Sequence, residues 1–409
     1  MEISTAERQL LRDLAKQVAE IGAAPEQAVK REWWKRHNRL ERVKPMVLIF
    51  PEGAWGELLP DSVVQVSDRF WRGWEWHLRH LIYRWEHLRD DNVIEPVLKV
   101  GLAHSNSGWG FPIENIPSTT ARGAWAFKPT IVKPEDAARL TPPQIQVNEQ
   151  ATRENYERVA DMFGDILEVR QQRRAHVDTS LIGTLCRMRG LEQVMIDACE
   201  RPQWLHRVLT FMMDSTQRLL DWVEENRYLN LNNKDDYVGS GGVGYTDELP
   251  QPGFDGQVRL CDLWGFAEAQ EFAQVSPAMH EEFALRYQIP LLARFGLNCY
   301  GCCESLTDRL EGVKKIPRLR RVSVSPWTDV RVAAEAFQDN YIFSWKPNPT
   351  DMVMEFDEER VRRKIAETLA VAKECVVEII LKDTHTCAGH PERFDRWCRI
   401  AREEVEGLR

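Results

Sequence analysis

What the sequence lacks narrows its class first. No run approaches the roughly 20 apolar residues of a membrane span, and residues 1–18 carry charge where a secretory leader has an apolar core. There is no low-complexity tract, no internal repeat and no flexible linker; the 23 glycines and 21 prolines of the 409 residues are scattered. Positive charge is not in excess: 54 Lys and Arg stand against 63 Asp and Glu, a formal charge of −9. That argues against a broad basic face for nucleic acid. A P-loop, a G-x-S-x-G elbow and an H-E-x-x-H helix are all missing. Nine cysteines, an odd number with two adjacent, do not make the disulfide framework of a small exported domain. The expectation is a cytoplasmic protein with reduced thiols. At 43% hydrophobic and 29% charged, the chain is long enough for an elaborated α/β barrel.

The pattern changes character near residue 160. Before it, amphipathic helices are expected over 5–21, 28–42 and 68–90, with a short apolar run at 46–50 and turn chemistry over 92–130. After it, strand-like runs at 166–170, 228–232, 296–300, 321–325, 341–345 and 376–381 alternate with helix-like segments at 201–226, 277–294, 304–310, 330–338 and 358–373, and a last helix starts near Pro391. Strands alternating with helices imply a parallel sheet with crossovers. The expected fold is a (β/α)8 TIM barrel over 131–409, with residues 1–130 as a helical extension packing on it. An open doubly wound sheet is the alternative.

Barrel chemistry sits just past the carboxyl ends of the strands. Those positions carry Asn233, Asp235 and Asp236; Cys302, Cys303 and Glu304; Trp327 and Asp329; Lys346; and Lys382, Asp383, His385 and Cys387. A separate stretch carries Arg259, Cys261 and Asp262. In a barrel the two thiol-bearing loops face one mouth. Two or three thiolates plus one nitrogen or oxygen make a tetrahedral zinc shell, which nominates Cys302, Cys303, Glu304, His385 and Cys387. A helix starting at Glu304 would also favour a thiolate at Cys302 or Cys303. Asp236, Asp262 and Tyr300 are candidate acid, base or orienting groups. Asn233, Arg259, Trp327, Lys346 and Lys382 are candidate substrate contacts.

Other features read more blandly. Cys186, Cys199, Cys261, Cys299, Cys375 and Cys398 lie in apolar patterns and read as core. Gly239-Ser240-Gly241-Gly242-Val243-Gly244 fits G-x-G-x-x-G but no helix start follows it, so a mobile loop over the mouth is expected. His77, His80 and His87 share a helical face with neighbouring tryptophans, as a packing face would. Arg170, Arg173 and Arg174 either grip an anion or solvate a loop.

Four stretches carry a family resemblance: Met188-Arg189-Gly190-Leu191-Glu192 through Met195-Ile196-Asp197 to Glu200-Arg201-Pro202; Asp235-Asp236; Val324-Ser325-Pro326-Trp327-Thr328-Asp329; and His390-Pro391-Glu392-Arg393. In order and spacing they resemble the uroporphyrinogen decarboxylase superfamily, within it the cobalamin-linked methyltransferase branch, from about residue 128 and more closely from 188. The resemblance implies a (β/α)8 barrel and a zinc ion that binds the acceptor thiol or activates a methyl-bearing ether or amine, with methyl passing to or from a corrinoid on a partner protein. It aligns Cys302 and Cys387 with zinc ligands, but Tyr300 stands where the family has a histidine, leaving Cys303, Glu304 or His385 to complete the shell. The alternative is a metal-free decarboxylase of a porphyrinogen or other polycarboxylate, gripped by Arg170, Arg173, Arg174 and Arg259. Expected partners are a small-molecule substrate, a corrinoid protein and a second copy of the chain as a homodimer, with no nucleic acid and no membrane.

Overall fold

The computed structural model describes residues 3–119 and 126–407. Part of the turn-rich stretch expected over 92–130, residues 120–125, lies outside them. The strands are β1 (Met46–Ile49), β2 (Val97–Gly101), β3 (His104–Asn106), β4 (Glu114–Ile116), β5 (Ala126–Lys128), β6 (Ile145–Val147), β7 (Glu168–Gln172), β8 (Trp264–Ala267), β9 (Leu297–Tyr300), β10 (Leu319–Val324), β11 (Ile342–Trp345) and β12 (Val376–Leu381). Six of them form a parallel sheet in the order β1-β12-β11-β10-β9-β8. β2 and β7 make a separate parallel pair, and β3–β6 and β4–β5 pair antiparallel. The fold is mixed α/β. Among the described residues no ladder closes the sheet into a ring.

Both faces of the sheet are covered, which is why its strands read as nearly continuous apolar runs. The side-chain period of two divides them. Val47, Ile49, Tyr300, Val322, Phe343, Ile379 and Leu381 pack into the main core beneath the crossover helices. Met46, Leu48 and Ile380 face the other way, against Trp34, Val243 and Tyr245. β1 is therefore an integral strand of the sheet, contributed by the part of the chain before residue 131.

The sheet's two edges are satisfied without strands. At β8, the expected strand 228–232 joins no ladder; instead the Asn232 amide accepts from Trp264 N at 2.9 Å and donates to Trp264 O at 3.0 Å. One asparagine side chain does there what a strand backbone would do. At β1, Asp91 Oδ2 accepts from Val47 N at 2.8 Å and Asp90 Oδ2 from Ile49 N at 3.0 Å. Edges left bare would invite pairing with other chains.

A buried ionic network crosses the inner face. Glu378 Oε1 accepts from Arg321 Nε at 2.8 Å and from the Ser344 hydroxyl, and His37 Nε2 lies 3.2 Å from Oε2. Arg321 Nη2 donates to Asn38 Oδ1 at 2.8 Å, and Asn38 Nδ2 donates to the carbonyls of Val243 and Tyr245. Burial alone would push the Glu378 carboxyl up; Arg321 and His37 hold it at about 2. His37 and Asn38 come from the end of helix Pro25–Asn38, so this network pins the N-terminal helices to the sheet. Removing one member would leave a buried charge uncompensated.

The glycine-rich loop is seated on this face, not poised above it. Gly241 and Gly242 both have φ of +98°. A Cβ on Gly241 would meet Ile380 at 2.8 Å, and one on Gly242 would meet the Arg321 guanidinium at 2.7 Å. Val243 and Tyr245 are buried. The mobile lid expected from the glycine run is thus a packed element. Among the described residues no helix is long and apolar enough to cross a membrane.

Candidate functional site

Parallel strands place their carboxyl ends along one rim. β9 ends at Tyr300 and β12 at Leu381, so Cys302, Cys303, Lys382 and Asp383 all lie just past it. Cys302 is the centre of the group. Its Sγ accepts from Ser240 Oγ at 3.2 Å and from Lys382 Nζ at 3.5 Å, and lies 3.5 Å from Cys303 Sγ. Lys382 Nζ also donates to Ser240 Oγ at 3.1 Å and pairs with Asp383 at 3.5 Å. Cys303 Sγ is 3.5 Å from Asp383 Oδ2. The Cys303 thiol, then the Lys382 ammonium and the Ser240 hydroxyl, draw Cys302 down to about 6 against the upward push of burial. The same contact with Cys302, together with burial, pushes Cys303 up. One sulfur of the pair is therefore the anion and the other its proton donor.

The expected helix at Glu304 does not form. Residues 301–309 are turns and bends, and the helix here is the single turn Leu310–Val313, so cationic and hydroxyl neighbours take the part expected of a helix terminus. Glu304 has a different task. Its carboxylate accepts from Cys302 N at 2.8 Å and Ala269 N at 3.0 Å. It braces the turn after β9 against the turn after β8. That second turn carries Glu268, whose carboxyl is raised to about 9 by burial and by the neighbouring Glu271 and Glu304. Glu268 thus stays protonated near neutral pH. Lys346, buried just past β11, donates to Ser344 O at 3.0 Å and Ser344 Oγ at 2.6 Å. Burial lowers it to about 8. The rim holds a thiolate, a protonated acid and an ammonium near its titration point, a set suited to group transfer.

The remaining nominated residues go elsewhere. Cys387 is buried in the main core and donates to Glu57 Oε2 at 3.0 Å; burial and that carboxylate push it up to about 11. Its hydrogen-bond partner is not among those of Cys302. His385 is exposed. Among the described residues no group of three His, Cys, Asp or Glu side chains is arranged to hold a metal ion, and the position beside the Cys302 sulfur is taken by the Lys382 ammonium. The donor set expected for zinc is not assembled in this arrangement. Tyr300 faces the outer helices, between His280 Nε2 and Gln288 Oε1, each at 3.0 Å. Arg259 and Asp262 precede β8, at the opposite end of the sheet from Cys302. They form a closed pair, Nε to Oδ2 at 2.9 Å and Nη2 to Oδ1 at 2.8 Å. Asn233 positions its loop by donating to Leu249 O at 2.6 Å. Trp327 is 69% exposed past β10.

Asp236 and Asp235 lie in a separate cavity of about 690 Å³, with Trp74, Lys99, Arg174 and Tyr237 among its lining. Lys99 Nζ is 2.9 Å from Asp235 and 3.1 Å from Asp236. Burial raises the Asp236 carboxyl and Lys99 opposes it.

Sequence reasoning missed Ser240 and Glu268 as site residues, and it named Arg174 only as one of three arginines that either grip an anion or solvate a loop. Glu268 follows β8, a strand of only four residues whose pattern is weakened by a glycine: Trp264-Gly265-Phe266-Ala267. Ser240 stood inside a motif read as mobile. Of the six cysteines read as core, Cys199 is exposed and Cys261 half-buried; the other four are buried. No protein-family model and no curated protein matches the chain.

Proposed function

We propose that the chain is a methyl-transfer enzyme of the uroporphyrinogen decarboxylase type, built on a (β/α)8 frame, with the Cys302 thiolate as its reacting group. The observation that carries this reading is the triple contact on Cys302 Sγ, from Ser240, Lys382 and Cys303. It keeps a nucleophilic sulfur charged at the strand ends, where this architecture does its chemistry. The frame is supported by six sheet strands plus the parallel β2–β7 pair. Asn232 and the Ala175 N–H to Tyr228 O bond tie the intervening segment to both.

In the forward sense the sulfur lone pair forms a bond to the methyl carbon as the bond to its carrier breaks and the carrier keeps the electron pair. The protonated Glu268 carboxyl supplies a proton to a basic leaving atom. The resulting thioether is neutral, and Lys382 then has Asp383 as its counter-charge. A corrinoid protein remains the expected carrier at one end of the transfer.

Incubation with methylcobalamin, followed by peptide mass spectrometry, tests this. S-methylation at residue 302, absent from Cys302→Ser, is the expected result. No methyl there, in protein whose Cys302 still reacts with iodoacetamide, overturns the reading. The decarboxylase alternative loses three of its four grips, because Arg170 pairs with Glu168, Arg173 with Glu149 and Arg259 with Asp262.

A further inference from the structure

Methyl transfer as proposed above consumes only one sulfur of the adjacent pair; no bond to Cys303 forms or breaks in it. The placement of Cys303 is nonetheless specific. Its Sγ lies 3.5 Å from Cys302 Sγ and donates to Asp383 Oδ2 at 3.5 Å. Both thiols are half-buried, so a small molecule can reach them. Cys299 is the contrast: its sulfur also meets a cation, Arg321 Nη1 at 3.7 Å, but it is 1% exposed.

The donors on Cys302 are the ones that cleavage of an O–O bond needs. Ser240 Oγ donates to Cys302 Sγ at 3.2 Å, Lys382 Nζ does so at 3.5 Å, and Lys382 also donates to Ser240 at 3.1 Å. When a thiolate attacks a hydroperoxide, negative charge grows on the departing oxygen. An ammonium and a hydroxyl already fixed at the sulfur stabilise that charge without rearranging. Such an attack leaves a sulfenic acid, which a neighbouring thiol converts to a disulfide. Cys303 is that neighbour, with a carboxylate on its S–H. The Cys302 backbone is held on both sides, its N–H donating to Glu304 at 2.8 Å and its C=O accepting from the Ser323 hydroxyl at 2.8 Å. Closure therefore falls to Cys303, whose sulfur must approach by about 1.5 Å to reach bonding distance. Adjacent Cα atoms stand about 3.8 Å apart, below the usual disulfide span, and a ring that tight is readily reduced again.

We propose that Cys302 and Cys303 form a hydroperoxide-reducing pair, in which Cys302 reacts first and Cys303 resolves it. The Cys302 sulfur bonds to one oxygen of hydrogen peroxide as the O–O bond breaks. The other oxygen leaves with the electron pair and takes a proton from the Lys382 ammonium, giving water. Sulfur is oxidised by two electrons and the peroxide reduced by two. Asp383 then takes the Cys303 proton, the Cys303 sulfur attacks the Cys302 sulfur, and hydroxide departs and recovers that proton as a second water. A dithiol reductant restores both thiols by exchange, and the Cys302 proton returns to Lys382. The disulfide also occupies the sulfur that would accept methyl; that consequence alone rests on the function proposed above.

The test uses the full chain, reduced, desalted and mixed with one equivalent of hydrogen peroxide. It is then blocked with N-ethylmaleimide in denaturant and digested with trypsin. Residues 295–309 form one tryptic peptide with three cysteines, Cys299, Cys302 and Cys303. The expected product is that peptide lighter by two hydrogens and carrying a single maleimide, on Cys299. It should form at least about tenfold faster than the exposed Cys199 is oxidised. Dithiothreitol should reverse it, and peroxide should be consumed for as long as dithiothreitol lasts. Cys303→Ser should stop at the sulfenic acid, trapped by dimedone at residue 302. Cys302→Ser should slow peroxide consumption by at least about tenfold. Three maleimides on the wild-type peptide, oxidation of Cys302 no faster than that of Cys199, or dimedone on wild-type Cys302 with no disulfide overturns the proposal. Methyl uptake by the reduced protein is read separately with methylcobalamin, so either function can fail alone.

Discussion

Two turns bear the thiols expected to meet, and their surroundings are opposite. Cys302 has a hydroxyl and an ammonium on its sulfur; Cys387 has a carboxylate. The first is drawn down to about 6 and the second pushed up to about 11. Both follow strands of one sheet, so position past a strand end does not decide reactivity. The sign of the nearest charge and the depth of burial do.

The sharpest way to break the contrast is to remove each sulfur in turn. Cys302→Ser should lower methyl transfer by more than about a hundredfold, the loss expected when a positioned reacting group is removed. Cys387→Ser should stay within about threefold of wild type, since a hydroxyl can still donate to Glu57. Equal losses in steady-state assays would end the distinction. Next comes the charge. Iodoacetamide alkylation of Cys302 should rise through a midpoint near pH 6, because the thiolate is the reactive form and accumulates as pH climbs past that value. Lys382→Met removes the cation that favours the thiolate, so its midpoint should move up by about one pH unit or more, a reaction at least roughly fivefold slower at pH 6. A midpoint unmoved would assign the activation elsewhere. Cys387 should resist alkylation until the protein unfolds.

Smaller effects refine the picture. Gly242→Ala places a methyl group against Arg321 at a positive φ and should cost about 1–3 kcal/mol in urea unfolding. Ser240→Ala removes one hydrogen bond to the sulfur and should raise the Cys302 midpoint by about half a pH unit, measurable in the same alkylation series.

The sequence showed most of the strands because their burial on both faces leaves long apolar runs. The run at 376–381 coincides with β12, and 296–300, 321–325 and 341–345 fall within a residue or two of β9, β10 and β11. It failed where the signal is not hydrophobic pattern. Tyr228 to Asn232 is apolar enough for a strand, yet its pairing is done by one amide side chain. β2 carries Lys99 and lies in a stretch dominated by turn residues, which hid it. At the site, the reach of Lys382 and Ser240 to Cys302 depends on a register between segments 80 and 62 residues away, and no local spacing encodes that. Strand-end position found Cys302, Lys346 and Lys382. It also picked Tyr300, whose alternation along β9 sends it to the outer face, and it had no way to see that Arg259 and Asp262 precede a strand.

The partnership of β1 with β12 has a consequence for how the molecule is made. Leu48 pairs with Ile380, and His37 reaches Glu378, so β1 and the helix before it stay unsatisfied until a segment more than 300 residues further along the chain has been made. Until then Met46 to Ile49 is an apolar strand without the partner that pairs it in the sheet. A nascent chain stalled short of β12 is a natural client for chaperones, and the emergence of β12, more than any local helix, sets the moment at which the core becomes whole.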